Sequence, residues 1–163
     1  MKKSPKIGLG GGCHWCTEAV FQSLKGVINV EQGYISSIGK NNTFSEAVIV
    51  TYTPEKIDLK DLIEIHLYTH KSTSEHSFRE KYRSAIYYFD THQKSASENY
   101  LKDLNKDFEN KLITKVLKFN KFKSSRKELL DYYKTNPEKP FCKRYIHPKL
   151  NLLREKYSTK IIS

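Results

Sequence analysis

Nowhere in this chain of 163 residues do apolar side chains run for the roughly 20 positions that a membrane-spanning helix requires. The opening Met1-Lys2-Lys3-Ser4-Pro5-Lys6 passes into a short strand without an apolar signal region. These absences place the expected chain in the cytoplasm, away from the membrane. Cysteine is scarce as well. Three residues, two of them close together as Cys13-x-x-Cys16, are too few for a secreted disulfide framework and in a reducing compartment point to redox or metal chemistry. Acidic residues are outnumbered, 18 Asp and Glu against 29 Lys and Arg, for a net charge of +11. The lysines are scattered from Lys2 to Lys160, and no nucleic-acid module interleaves them with aromatics. The charge therefore reads as a solvated surface, with no nucleic-acid partner. Internal repeats and low-complexity segments are also missing.

A hydrophobic fraction of 37% and an aromatic fraction of 12% suffice for a packed core, and the length suits one domain over residues 1–163. Ile7 to Gly10 reads as a strand ending in Gly11-Gly12, and Thr17 to Lys25 sets Val20, Phe21 and Leu24 on one helical face before Gly26. Val27 to Ser36 and Ala47 to Tyr52 read as strands around a turn at 38–43. Asp58 caps a helix running to about Thr69. Strands follow at 84–89 and 113–119, separated by a helix from Asp90 to Asn110 whose inward stripe is Tyr100, Leu104 and Phe108. Arg126 to Lys134 reads as helical, and a short helix near Leu150, Leu152 and Leu153 closes the chain. The order β-α-β-β-α-β predicts an α+β fold: a two-layer α/β sandwich with a ferredoxin-like core, appended helices and a C-terminal tail.

The chemistry concentrates at Cys13, where a strand becomes a helix. A helix N-terminus stabilises a thiolate through its unpaired N–H groups and its dipole, and the preceding Gly10-Gly11-Gly12 lets backbone approach a ligand closely. Cys16 lies about one helical turn on, within reach as a resolving thiol. Half of a zinc knuckle is the competing reading. Zinc needs a second ligand pair at similar spacing, and lone Cys142 with scattered histidines is a poor substitute. A phosphate loop is weaker still, because Gly8-Leu9-Gly10-Gly11-Gly12 lacks the Lys-Ser/Thr ending.

Gly12-Cys13-His14-Trp15-Cys16-Thr17-Glu18-Ala19-Val20-Phe21 and Leu24-Lys25-Gly26-Val27 resemble the signature of the peptide methionine (S)-S-oxide reductases. Gly33-Tyr34, Ser45-Glu46-Ala47-Val48, Tyr52-Thr53-Pro54, Lys81-Tyr82-Arg83-Ser84-Ala85-Ile86-Tyr87 and Pro148-Lys149-Leu150 follow in the family's order. The resemblance covers most of the chain. It implies attack of a Cys13 thiolate on the sulfur of methionine S-sulfoxide, free or in oxidised proteins. A Cys13 sulfenic acid and a Cys13–Cys16 disulfide follow, recycled by thioredoxin or another dithiol. No metal and no organic cofactor are implied, and a monomer suffices. Glu46 would deliver the proton, Tyr82 would donate a hydrogen bond to the same oxygen, and Trp15 would wall the methyl site. Glu18 would support the start of the helix by dipole complementarity or a local hydrogen bond, without a catalytic role.

The chain departs from the family in identifiable places. His14 replaces the usual phenylalanine at the methyl site and sets a titratable ring beside the nucleophile. The segment between Tyr34 and Ser45 is short and omits a tyrosine, for which Tyr34 and Phe44 are the candidate substitutes. The segment between His70 and Tyr82 is short too, so that a family aspartate falls near His76 or Ser77, with His70 and His76 as candidate polar contacts. Leu129-Leu130 stands where the family has His-Gln, and Cys142 falls where many relatives carry a recycling cysteine. Two alternatives accompany the reductase: a general thiol-disulfide oxidoreductase, and a basic binding module on a scaffold that has lost its chemistry.

Overall fold

The computed structural model describes residues 4–75, 79 and 81–162. Its centre is an antiparallel sheet of four strands. These are Lys6–Gly10 (β1), Val27–Ser36 (β2), Ser45–Tyr52 (β3) and Ala85–Tyr88 (β4), ordered β4-β1-β3-β2. Two helices, His14–Gln22 (α1) and Leu59–Thr69 (α2), supply the crossovers of a ferredoxin-like β-α-β-β-α-β unit. Lys115–Lys118 (β5) adds in parallel to β4, and Lys121–Ser124 (β6) adds antiparallel to β2 on the opposite edge. A third helix, Thr91–Leu104 (α3), links β4 to β5. The tail carries Tyr132–Thr135 (α4) and His147–Lys156 (α5).

Period-two alternation decides the faces. Ile7, Leu9, Val48, Val50 and Ile86 are buried among Ala19, Val20, Phe21 and Leu24 of α1 and Leu62, Ile63 and Ile65 of α2. The neighbours Ala47, Ile49, Ala85 and Tyr87 point the other way and pack with Ile35 against Leu117, Phe119 and Phe122. Because β3 is nearly buried throughout, Ala47 to Val50 is continuously apolar, and the one charged side chain of the strand is Glu46, 6% exposed. Asp58 caps α2 as expected, in a reciprocal box with Asp61.

Several boundaries differ from the sequence reading. α1 begins at His14 rather than Thr17, so the Cys-x-x-Cys run opens the helix. The helix expected from Asp90 to Asn110 ends at Leu104 and tightens into a 3-10 turn, Asn105–Phe108. The helix expected at Arg126 to Lys134 is instead a 3-10 turn at Lys127–Leu129 and the single turn of α4, broken at Asp131, whose φ is 54°. β6 was not expected, since Lys-Phe-Lys-Ser has only one apolar side chain. His76 and Ser77 lie outside the described residues. Among those described, no helix is long and apolar enough to cross a membrane.

Candidate active site

β1 ends at Gly10, and two glycines turn the chain into α1 with Cys13 at the helix opening. Gly11 is needed for contact: a Cβ there would lie 2.4 Å from Cδ2 of the His70 ring. The Cys13 carbonyl accepts the N–H groups of Cys16 and Thr17 at 3.1 and 3.2 Å. The thiol of Cys13 is drawn below its ordinary range chiefly by a hydrogen bond from the Cys16 side chain. The amide groups of Trp15 and Cys16 act in the same direction, while burial and the Glu46 carboxylate oppose them. The same contact, together with burial, pushes the Cys16 thiol up. One sulfur is thus prepared as the anion and its neighbour as the proton-bearing partner. Lys149 donates to the Thr69 carbonyl and stands close enough to both sulfurs to favour their anions.

Cys13 and Cys16 open onto a cleft of about 360 Å³, bordered by His70, Tyr82, Phe141, Tyr145 and Lys149, a volume within the range of small-ligand sites. Its edges are held by buried polar side chains. Arg79 donates to the carbonyls of Gly11, Tyr82, Ser74 and Lys71, tying the glycine turn to the Tyr82 segment. Ser45 Oγ donates to the Lys81 carbonyl and accepts from the Arg83 amide, fixing the start of β3 against the same segment. A separate cleft of about 220 Å³, bordered by Lys40, Arg79, Arg83 and Lys115, contains none of the thiols.

Glu46 packs against the turn that carries Cys13. Its Oε1 accepts the His14 amide at 3.2 Å and lies 3.4 Å from His14 Nε2, while Oε2 lies 3.7 Å from Lys81 Nζ. His14, 3% exposed, donates from Nδ1 to the Gly33 carbonyl at 2.8 Å and meets the edge of Tyr34, with ring centroids 5.2 Å apart. Tyr34 is directly opposite Glu46 in the β2–β3 register. His14 therefore faces a carboxylate and a carbonyl, not the cleft bordered by Phe141 and Tyr145. Tyr82 reaches the cleft, with Lys81 Nζ 5.1 Å from its ring centre.

Trp15, half-buried, stacks flat on Tyr132 at 4.1 Å and 3°, with the edge of Phe141 at 5.2 Å. Of this trio Phe141 borders the cleft. Glu18 reaches far along the sequence: its carboxylate accepts the amides of Asp131 and Tyr132 at 2.9 and 3.0 Å, holding Tyr132 against Trp15. The expected local bond or dipole role is replaced by this long-range anchor. Phe44 is 45% exposed. Cys142, fully buried, donates to the Asn136 carbonyl from a wide π-type turn, Cys142–Ile146, and burial holds its thiol above the ordinary range. All three cysteines are free thiols. In place of the absent His-Gln pair, the Leu129 carbonyl accepts from Gln32 Nε2 at 2.9 Å. Among the described residues no group of three or more His, Cys, Asp or Glu side chains is placed to hold a metal ion.

Lys81, Lys149, Tyr132 and Tyr145 were not among the predicted site residues, whereas His70, a candidate polar contact, borders the cleft. Lys81 and Lys149 lie within matched motifs and were legible there, whereas Tyr132 carries no local signal.

The family model for peptide methionine sulfoxide reductase matches residues 5–161. A peptide methionine sulfoxide reductase MsrA of Haloquadratum walsbyi is 30% identical, over 94% of this chain and 96% of its own length. That of Campylobacter jejuni is 33% identical, over 91% and 97%. Among solved structures, Mxr1 of Saccharomyces cerevisiae in reduced form superposes with a TM-score of 0.75 at 20% identity, covering 88% of this chain and 91% of that one. The same protein in complex with Trx2 gives 0.63 at 19% identity, covering 76% and 82%. With the fold, the helix-opening thiol and a match along nearly its whole length, the chain belongs to the peptide methionine sulfoxide reductase family.

Proposed function

We propose that this chain reduces methionine S-sulfoxide, free or in oxidised proteins, with Cys13 as nucleophile, Cys16 as resolving thiol and a thioredoxin-type dithiol as reductant. The observation that carries the reading is that both thiols border one cleft at the opening of α1, where Cys13 is drawn below the ordinary thiol range and Cys16 is pushed above it. The Cys13 sulfur attacks the substrate sulfur while the oxygen takes a proton held at Glu46, and Tyr82 donates a hydrogen bond to that oxygen. Oxygen passes to Cys13 as the sulfenic acid, and methionine leaves with the electron pair that reduces its sulfur. Cys16 then displaces the hydroxyl as water, forming the disulfide. Phe141 and Tyr145 supply the apolar surroundings for the thioether, with the Trp15–Tyr132 stack supporting Phe141 from its other side. His14 and Tyr34 act from behind the turn, through Glu46.

The Mxr1 complex with Trx2 supports a thioredoxin-type reductant here. Cys142, buried behind Cys16, is a second acceptor for the disulfide. The reading takes residues 1–163 as one domain acting as a monomer in the cytoplasm, where such dithiols keep the pair cycling. Mass spectrometry after one equivalent of the S-epimer tests it. The expected product is one methionine and a Cys13–Cys16 disulfide, with the R-epimer left intact. Cys16→Ser stops at the sulfenic acid or shifts the bond to Cys142. An unchanged thiol count in the wild type overturns the mechanism.

A further inference from the structure

We propose that His14 and Glu46 share a single proton between Nε2 and Oε1, and that this pair, rather than a lone carboxylic acid, is the proton reservoir for the Cys13 reaction. The inference rests on the reductase reading above and adds a positioning residue to it. His14 Nδ1 lies 2.8 Å from the Gly33 carbonyl, which only accepts, so Nδ1 carries a proton. In a neutral ring Nε2 is then a lone pair, and it stands 3.4 Å from a carboxyl oxygen that also carries lone pairs. With no proton between them the two acceptors repel in a site where His14 is 3% and Glu46 6% exposed. One proton satisfies both, bonded to Oε1 or to Nε2.

The surroundings set where that proton resides. Lys81 Nζ, largely exposed, lies 3.7 Å from Oε2, while burial disfavours the imidazolium. From α1, the thiolate of Cys13 lies within the field of Glu46. From β2, Tyr34 presents its ring edge to His14. From the 81–84 segment, Tyr82 is coupled to Lys81. The His14 amide on Oε1, one residue from the nucleophile, pins the carboxyl to the reacting turn. When the sulfoxide oxygen moves to Cys13, the shared proton goes with it, the substrate S–O bond breaks, and water re-protonates the pair. An apolar ring at position 14 holds no part of that proton.

The test is a titration that needs no turnover. In wild-type protein the 15N signal of His14 Nε2 and the 13C signal of the Glu46 carboxyl are expected to move together, with the same midpoint, in every step of the pair's titration. Midpoints that differ between the two nuclei, each responding in a step of its own, overturn the sharing. A kinetic arm follows Cys13 sulfenic acid formation in single turnovers against pH. His14→Gln replaces the imidazole with an amide that does not titrate and cannot share the proton, so the alkaline limb moves down by about one pH unit, a tenfold loss at fixed alkaline pH. An unmoved limb in a folded His14→Gln protein overturns the proposal. Absence of sulfenic acid in the wild type sinks the reductase reading instead, and the common titration still decides the proton sharing.

Discussion

Cys13 and Cys16 are the same side chain given opposite behaviour by one contact and by their places at the end of a helix. The Cys16 S–H stabilises the Cys13 anion, the first amides of α1 add to it, and burial retains the proton on Cys16. Cys142, buried and tied to the Asn136 carbonyl, is held as a neutral thiol. Iodoacetamide at pH 7 is therefore expected to label Cys13 at least about tenfold faster than Cys16 or Cys142, as read by peptide mass spectrometry. The labelling rate should fall only as pH drops through a midpoint below the ordinary thiol range. Cys16→Ala removes the largest stabilising contact, so that midpoint should move up. Equal labelling of all three thiols, or an unshifted midpoint in Cys16→Ala, contradicts this assignment. The Cys-x-x-Cys spacing made the candidate thiol pair legible in the sequence. The partner of Glu46 was not, because His14 and Glu46 are 32 positions apart and meet only once β3 pairs with β1.

At the scale of elements, the tail is fastened to the site by one carboxylate. Glu18, 1% exposed on α1, accepts two backbone amides from residues 131 and 132, just where the φ of 54° at Asp131 turns the chain into α4. Glu18→Ala leaves both donors without that acceptor and is expected to cost about 2–3 kcal/mol in urea unfolding. It should also raise KM for the sulfoxide by loosening Tyr132 from Trp15, with Glu18→Gln recovering part of the loss. Wild-type stability and KM in Glu18→Ala would show that the tail is held by other contacts. A run rich in β-branched residues made β3 readable, and the apolar face of α2 was readable down to the Asp58 cap. Elements held by tertiary contacts were not: β6 is defined by pairing with β2, and α4 by Glu18. The stack on Trp15 was hidden for the same reason, since it joins residues 117 positions apart.

For the whole molecule, the same packing that encloses the site buries histidines in their neutral form. His66 is 2% exposed between the sheet and α2's neighbours, with its ring 4.2 Å from that of His70. Burial holds His66 well below the ordinary imidazole range, and His70, at the cleft edge with Nε2 on Ser84 Oγ, is pushed down to about 3. The unfolded chain takes up these protons near pH 6.5 and the folded one does not, so stability is full above about pH 6.5 and is lost as pH falls toward 3. Each histidine contributes up to about 1.4 kcal/mol per pH unit in that window, and His70 less than His66 because its ring borders solvent. Urea unfolding between pH 6.5 and 5, above most carboxylate titration, should therefore show a clear decline. His66→Phe removes the buried imidazole, and its decline should be shallower by up to about 1.4 kcal/mol per unit, whatever its stability at neutral pH. An identical slope in wild type and His66→Phe would mean that His66 accepts its proton without unfolding.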